Sequence, residues 1–338
     1  MADTIKLNTD DQEGFVLVDK DRTKASISDD ELSKNANGGT EMMKRGLYER
    51  LADDIKDEVQ IICSRVREVD THRPVILWNH DLLGDPEVEH LKDAEKRKRF
   101  AKQVFVSHWQ FTTMHLGLGV PYDESIVLKN AIVPIEKHKK PDDKINLIYH
   151  TTPHRGLEIL VPCFEALAQT HKNIHLDVYS SFNAYGWGQR DEPYKPLFEK
   201  IEEHPQMTYH GYQPNEVVRE ALKKAHIFAY PNIWQETSCI AAMEAMSAGC
   251  LIVAPEFAAL PETLANFAFT YQWVQDNNQH ARTFVNVLDN IITGMPQHKD
   301  FLDGRLLFQK MYADEHNSWD GRIPQWDALI RSLITRKS

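Results

Sequence analysis

Two glutamates bracket the run Glu236-Thr237-Ser238-Cys239-Ile240-Ala241-Ala242-Met243-Glu244. Glu236 falls in the loop after an expected strand, and Glu244, eight positions later, falls about two helical turns on, so the two project from about the same face. Such a pair lets one carboxylate meet a sugar while the other grips ribose hydroxyls, with the helix start holding phosphates between them. A purely structural role has to account for a carboxylate inside an otherwise apolar helix, because an unpaired buried Glu is costly.

Three further groups carry chemistry. Arg155, in Tyr149-His150-Thr151-Thr152-Pro153-His154-Arg155-Gly156-Leu157, stands where a strand passes into a helix, so its guanidinium and the nearby amides suit a diphosphate held in forked geometry. The bland alternative is a solvated surface charge. His80, in Trp78-Asn79-His80-Asp81, follows an apolar strand at the edge where open α/β sheets bind ligands, with Asp81 placed to fix its tautomer. The competing role is a loop histidine beside a capping aspartate. Gly38 and Gly39 open a helix and let backbone amides approach a phosphate, or simply form a turn capped by Thr40.

The elements that must position these groups alternate through the chain. Short β-branched or aromatic runs are expected as strands at Phe15–Asp19, Val59–Ser64, Val75–Trp78, Val104–Ser107 and Ile126–Lys129. A second series is expected at Ile145–Tyr149, His175–Tyr179, Met207–His210, Ile227–Tyr230, Leu251–Ala254 and Phe267–Tyr271. Helices fit between them, most clearly Thr40 to about Ile55, Arg155–Thr170, Asn215–Ala225 and Ser238–Ala248. This is the pattern of parallel sheets covered by helices on both faces. Val133–Lys144, charged and proline-bearing, reads as a linker between residues 1–133 and 144–304, and a helical C-terminal stretch from about 305 to 338, with Trp319 and Trp326, is expected to pack back across the first domain. Asp21–Asn35 reads as a mobile loop.

Composition narrows the class. With 338 residues, 42% hydrophobic, the chain has apolar mass for two cores, and disorder and disulfide scaffolds are excluded. The 4 cysteines lack metal-knuckle spacing, no Asp-x-Asp cradle is read at a strand end, and no segment approaches 18 apolar residues. The expectation is a cytoplasmic protein that needs no metal, has no transmembrane segment and can sit at a membrane surface. A net charge of −11 opposes general nucleic-acid affinity, but Lys92, Lys96, Arg97, Lys98, Arg99 and Lys102 form a local basic run. It is either a solvated helix face or a surface for an anionic acceptor, with Arg97, Lys98 and Arg99 as its centre.

Taken together, the Gly-Gly loop, His80, Arg155-Gly156 and the glutamate pair with its Glu-Ala-Met-Ser-Ala-Gly stretch resemble the retaining glycosyltransferases of the GT-B fold, specifically family 4. Val106-Ser107-His108-Trp109-Gln110 and Lys129-Asn130-Ala131-Ile132 support the resemblance, which spans essentially the whole chain. It implies an α/β fold of two Rossmann-like domains facing a cleft, an N-terminal acceptor domain and a C-terminal donor domain. It further implies a nucleotide-diphosphate sugar as co-substrate, no tightly bound cofactor, and transfer to an acceptor hydroxyl with retention. By the same resemblance His80 and Glu236 act at the transferred sugar, Glu244 takes the donor ribose, and Gly38, Gly39 and Arg155 face the diphosphate. Arg155 stands where a lysine is usual. Cys239 stands where glycine is common, so phosphate contact there would use its amide and the Ser238 hydroxyl, and Thr152, Thr151 or His150 would replace a usual basic residue. The acceptor is expected to be a glycan, a glycolipid or a hydroxymethylated DNA base. A GT-B epimerase or phosphorylase, or an inactive nucleotide-sugar-binding module, are the competing classes.

Overall fold

The computed structural model describes residues 16–18 and 38–335, which form two compact units. Of the described residues, the first gathers 16–18, 38–131 and 319–335, and the second spans 132–318.

In the first unit the chain runs through β1 (Val16–Val18), α1 (Gly39–Arg50), α2 (Asp53–Lys56), β2 (Gln60–Cys63), β3 (Glu68–Asp70) and β4 (Val75–Asn79). It continues through α3 (Ala94–Arg97), β5 (Lys102–Phe105), α4 (His108–Leu118) and β6 (Ser125–Val127). Strands β2-β4-β5-β6 make one parallel sheet, and β1 pairs with β3 in a separate parallel pair. The central strand β4 is buried at every position, as expected of parallel strands covered on both faces. Ile62, Leu77, Phe105 and Met114 share its core.

Strand β7 (Ile145–Tyr149) opens the second unit and is followed by α5 (Leu157–Thr170), β8 (Ile174–Val178), α6 (Lys195–Glu203), β9 (Met207–Tyr209), α7 (Asn215–Lys224) and β10 (Ile227–Ala229). Then come α8 (Ile240–Ser247), β11 (Leu251–Glu256), α9 (Leu260–Leu264), β12 (Phe269–Gln272), α10 (Asn277–Gly294) and α11 (Lys299–His316). The six strands lie in the order β12-β11-β10-β7-β8-β9, all parallel. The winding goes outward one way from β7 and then the other way from β10. These two neighbours flank the switch point, whose carboxyl edge is where open α/β sheets bind ligands. Leu147, Phe164, Phe228 and Ile252 belong to the core beneath it.

Helix α12 (Trp319–Ile334) belongs to the first unit. Trp326, fully buried, meets Trp78 of β4 edge-on with ring centroids 4.8 Å apart. A Cβ on Gly46 of α1 would lie 2.4 Å from the Trp319 ring, so only glycine allows the two helices this approach. The C-terminal part is therefore two helices divided at Asn317-Ser318, where Ser318 bridges Ile132, and not one stretch from about 305.

Two other expectations change. Val133–Lys144 is no free linker: Ile135 sits in the second unit's core, its amide donates to Ser247 Oγ at 2.8 Å, and Lys140 donates to the carbonyls of Leu222, at 3.3 Å, and Ala225. One apolar anchor and one carbonyl-bound lysine tie down a stretch whose composition suggests solvent. The sequence also does carry an Asp-x-Asp after a strand, Asp19-Lys20-Asp21 directly behind β1. Those acids, and the Asp21–Asn35 loop, lie outside the described residues.

Candidate active site

At the switch point two loops are locked together. The turn Pro153–Arg155 ends on Gly156, whose φ of +123° is open to glycine alone and whose Cβ would lie 2.2 Å from the Pro231 carbonyl oxygen behind β10. The Ile233 amide donates to the Arg155 carbonyl at 3.3 Å. Asn232, fully buried, accepts from the Trp234 amide at 3.0 Å and donates to the Trp234 carbonyl at 2.6 Å, bracing the segment that leads into Glu236.

Arg155 and Glu236 meet in this corner as an ion pair, with the guanidinium NH1 donating to Glu236 Oε1. The buried Tyr230 hydroxyl donates to the same oxygen. Arg155 Nε donates to Thr152 Oγ1 at 3.1 Å and NH2 to the Tyr185 hydroxyl at 3.4 Å. Burial opposes the guanidinium charge, but the adjacent Glu236 outweighs it and holds the Arg155 pKa well above its usual value. A guanidinium has five N–H groups. These bonds use three, so Arg155 keeps two for an incoming anion.

Cys239 precedes α8, and its thiol, fully buried, is pushed up by desolvation and is no nucleophile at neutral pH. The helix start therefore offers backbone amides beside the buried Ser238 Oγ, which finds no hydrogen-bond partner among the described residues. A lone buried hydroxyl next to a helix start suits an anionic ligand.

Glu244 is buried on α8, but it is not unpaired. Asn215 Nδ2 donates to Oε1 at 3.2 Å and to Oε2 at 3.1 Å, and Arg219 NH1 donates to Oε1 at 3.1 Å. Burial raises its pKa, while Arg219 and Asn215 act the other way. Both partners lie one turn apart on α7, outside the residues whose types mark them for chemistry in the sequence. Their signal was available: a buried acid demands a cation, and Asn215 and Arg219 are the i, i+4 pair on the helix before β10.

The remaining expected residues lie in the first unit. His80 leaves the end of β4 with its amide donating at 3.0 Å to Ser64 Oγ, and Ser64 itself has a φ of +66°. Gln110 Nε2 reaches the Asn79 carbonyl at 3.2 Å and the Asp81 carbonyl at 2.8 Å, so the His80 loop is clamped from α4. Desolvation takes the His80 imidazole down to about 3, leaving it neutral. Gly38 is the N-cap of α1 with extended φ and ψ, and the helix starts at Gly39, which places Thr40 inside it and not at the cap. Arg97 departs from the expected basic surface: it is buried, pairs with Glu124 at 2.9 Å and donates to the Leu91 carbonyl at 2.7 Å. A guanidinium satisfies several carbonyl and carboxylate oxygens at once, so it turns inward. Lys98 stays exposed, 2.6 Å from Glu95, and Arg99 is half-buried. Among the described residues no group of three or more His, Cys, Asp or Glu is arranged to hold a metal ion.

A family model described as Glycosyl transferases group 1 matches residues 130–301, slightly more than half of the chain. The chain belongs to this family. The matched stretch of this glycosyltransferase lies almost wholly in the second unit, around Arg155, Glu236 and Glu244. Solved structures extend the likeness to the whole fold, two parallel-sheet α/β domains of the GT-B type. A glycosyltransferase from Rickettsia africae ESF-5 aligns with a TM-score of 0.64 at 12% identity, over 88% of this chain and 80% of that one. Anabaena HepE, solved in complex with UDP-glucose, aligns at 0.60 and 14%, over 81% and 79%. Sucrose-phosphate synthase from Thermosynechococcus elongatus aligns at 0.60 and 14%, over 88% and 79%. No curated protein matches the glycosyltransferase by sequence. Among the described residues no helix is long and apolar enough to cross a membrane.

Proposed function

We propose that this glycosyltransferase moves a sugar from a nucleotide-diphosphate donor to an acceptor hydroxyl with retention of configuration, as a family 4 enzyme with a Glu-x7-Glu pair. The observation that carries the proposal is the gathering of Arg155, Glu236, the Ser238 hydroxyl and the start of α8 at the switch point of the second unit. Breaking a sugar–phosphate bond builds positive charge at the anomeric carbon and negative charge on the departing diphosphate. Arg155, with two N–H groups still to give, and the α8 amides lie where that negative charge is met. The Glu236 carboxylate, already oriented by Arg155 and Tyr230, faces the transferred sugar, with Thr152 positioning Arg155 from behind. Glu244 takes the ribose, and Cys239 contributes its amide. The second unit is thus the donor domain.

The first unit is assigned the acceptor. His80, neutral and clamped, serves as a hydrogen-bonding group for the transferred sugar, and Gly38 and Gly39 offer amides at the start of α1 for the diphosphate. Arg97 is engaged inside the unit, and Lys98 and Arg99 are assigned to an anionic acceptor such as a glycolipid, a glycan or a hydroxymethylated DNA base. Because Arg155 and the helix start already meet the diphosphate charge, the reaction is proposed to run without a divalent metal, in the cytoplasm.

The test is a panel of UDP-, GDP- and ADP-sugars, scored for nucleotide release with and without acceptor, before and after exhaustive chelation. Acceptor-dependent release that survives chelation is expected. Release restored only by magnesium or manganese would overturn the metal-free mechanism and point to Asp19 and Asp21. Epimerised sugar without acceptor, phosphate-dependent sugar release, or binding without turnover would each replace transfer with the corresponding function.

A further inference from the structure

Arg219 spends its guanidinium on two things at once. NH1 donates to Glu244 Oε1 at 3.1 Å and to the Val133 carbonyl at 2.9 Å, while NH2 donates to the Pro134 carbonyl at 3.2 Å. Within 38–335 the chain passes between the units at two points, and Val133 and Pro134 follow the first of them, after Ala131. The second passage, after Ser318, is tied to the first: the Ile132 amide donates to the Asn317 carbonyl at 2.7 Å, and Ile132 bridges Ser318. One residue further, the Ile135 amide is held by Ser247 Oγ, which donates to Asp314 at 2.5 Å. Ser247 lies on α8, three positions beyond Glu244. A single polar network therefore runs from the Glu244 carboxylate to both chain passages, and Arg219 closes it.

We propose that Arg219 is a positioning residue: it fixes the Glu244 carboxylate for the donor ribose and makes the Val133–Pro134 segment part of the same rigid assembly. The proposal rests on the assignment of Glu244 to ribose. Chemistry explains why this residue does it. A carboxylate that must accept from two ribose hydroxyls has to be ionised and correctly turned, yet Glu244 is buried, where the charged form is disfavoured without a cation. Arg219 supplies that cation, and Asn215 fixes the carboxylate plane by reaching both oxygens. Oε1 thereby takes two partners and Oε2 one, leaving acceptor capacity chiefly on Oε2. Only a planar fork reaches a carboxylate and two successive carbonyls together; a lysine ammonium is a point donor.

The test is a double-mutant cycle of Arg219 and Glu244, read by calorimetric titration with UDP, GDP and ADP, the tightest binder being used throughout, and by steady-state kinetics. Arg219→Met should weaken nucleotide binding on the order of ten-fold, the scale of a lost charge-assisted hydrogen bond, and raise the donor KM while kcat stays within about three-fold. Arg219→Lys should recover part of the affinity. In the Glu244→Gln background, which carries no buried charge to neutralise, the loss caused by Arg219→Met should shrink to less than about two-fold. This background also keeps the cycle measurable if Arg219→Met alone folds poorly. Hydrogen exchange should show faster exchange of the Ile135 amide in Arg219→Met. Equal losses in both backgrounds, an unchanged affinity, or no recovery by lysine would overturn the positioning role while leaving Glu244 at the ribose. Unchanged affinity in Glu244→Gln alone would instead remove the ribose assignment, and this inference with it.

Discussion

Arg155 and Glu236 are each other's counter-ion, so each substitution tests two things. Arg155→Met should lower kcat by about two orders of magnitude if the guanidinium meets charge that grows as the donor bond breaks, a scale seen for single oriented donors. It also leaves Glu236 buried beside Tyr230 without a cation, at a cost of about 3–5 kcal/mol. Arg155→Lys should regain part of both, and kinetics combined with urea unfolding separates them. An intact kcat in Arg155→Met would remove it from the reaction. Asp81 gives a second residue-scale test. Burial, with Asp85 nearby and Arg65 opposing, raises its pKa from 3.8 to about 6. The folded protein then holds this proton more tightly than the unfolded chain, so the contribution of Asp81 to stability falls as pH rises from about 4 to about 6 and stays low above that. Asp81→Asn should flatten that slope and stabilise the first unit at neutral pH by at most about 3 kcal/mol, as measured by urea unfolding across the range. At this scale the sequence was a partial guide. Residue type with strand-end position for Arg155 and Glu236, and a carboxylate inside an apolar helix for Glu244, make these three site candidates in the sequence. Asn215 and Arg219 were not seen, because their importance comes from a helix-to-helix contact, and Arg97 was misplaced because a charge run does not tell which of its members turns inward.

Two glycines show how an element depends on one backbone position. Gly156→Ala would force a Cβ against the Pro231 carbonyl at a φ of +123°, so the loops after β7 and β10 must part. A loss above about 3 kcal/mol, with Arg155 displaced and nucleotide binding gone, is expected. Gly249, just past α8, also has positive φ, at +64°, but nothing crowds its Cβ, and Gly249→Ala should cost only about 1 kcal/mol and spare binding. Thermal melts with nucleotide titration check both, and equal penalties would contradict the packing explanation. Among the described residues eleven of the twelve strands, all but β3, overlap expected runs, since buried parallel strands are nearly continuous apolar runs. β3, three residues with two acids, gave no such signal and exists through pairing with β1. The helix expected from Thr40 to Ile55 breaks after Arg50, and the C-terminal helices divide at Asn317, both at positions set by packing and not by proline or glycine.

On the scale of the molecule, each unit has its own core, and α12 belongs to the first although all of 132–318 precedes it in the chain. Trp326→Ala would empty the space against Trp78 and should destabilise the first unit by about 3–5 kcal/mol. Calorimetry should show that transition moving, while nucleotide affinity should fall only as far as the proposed Gly38 and Gly39 contacts are disturbed. A matching loss of affinity would place the effect of α12 beyond its own unit. The same feature governs the order of folding during synthesis. The ribosome delivers all of 132–318 before Trp319 exists, so the half encoded later can complete its core while the half encoded earlier still lacks Trp319 and Trp326. Until Trp319 and Trp326 have emerged, the Trp78 side of the nascent first unit stays open to water and to chaperones. A stop codon after residue 318 would leave 132–318 whole and deprive the first unit of Trp319 and Trp326.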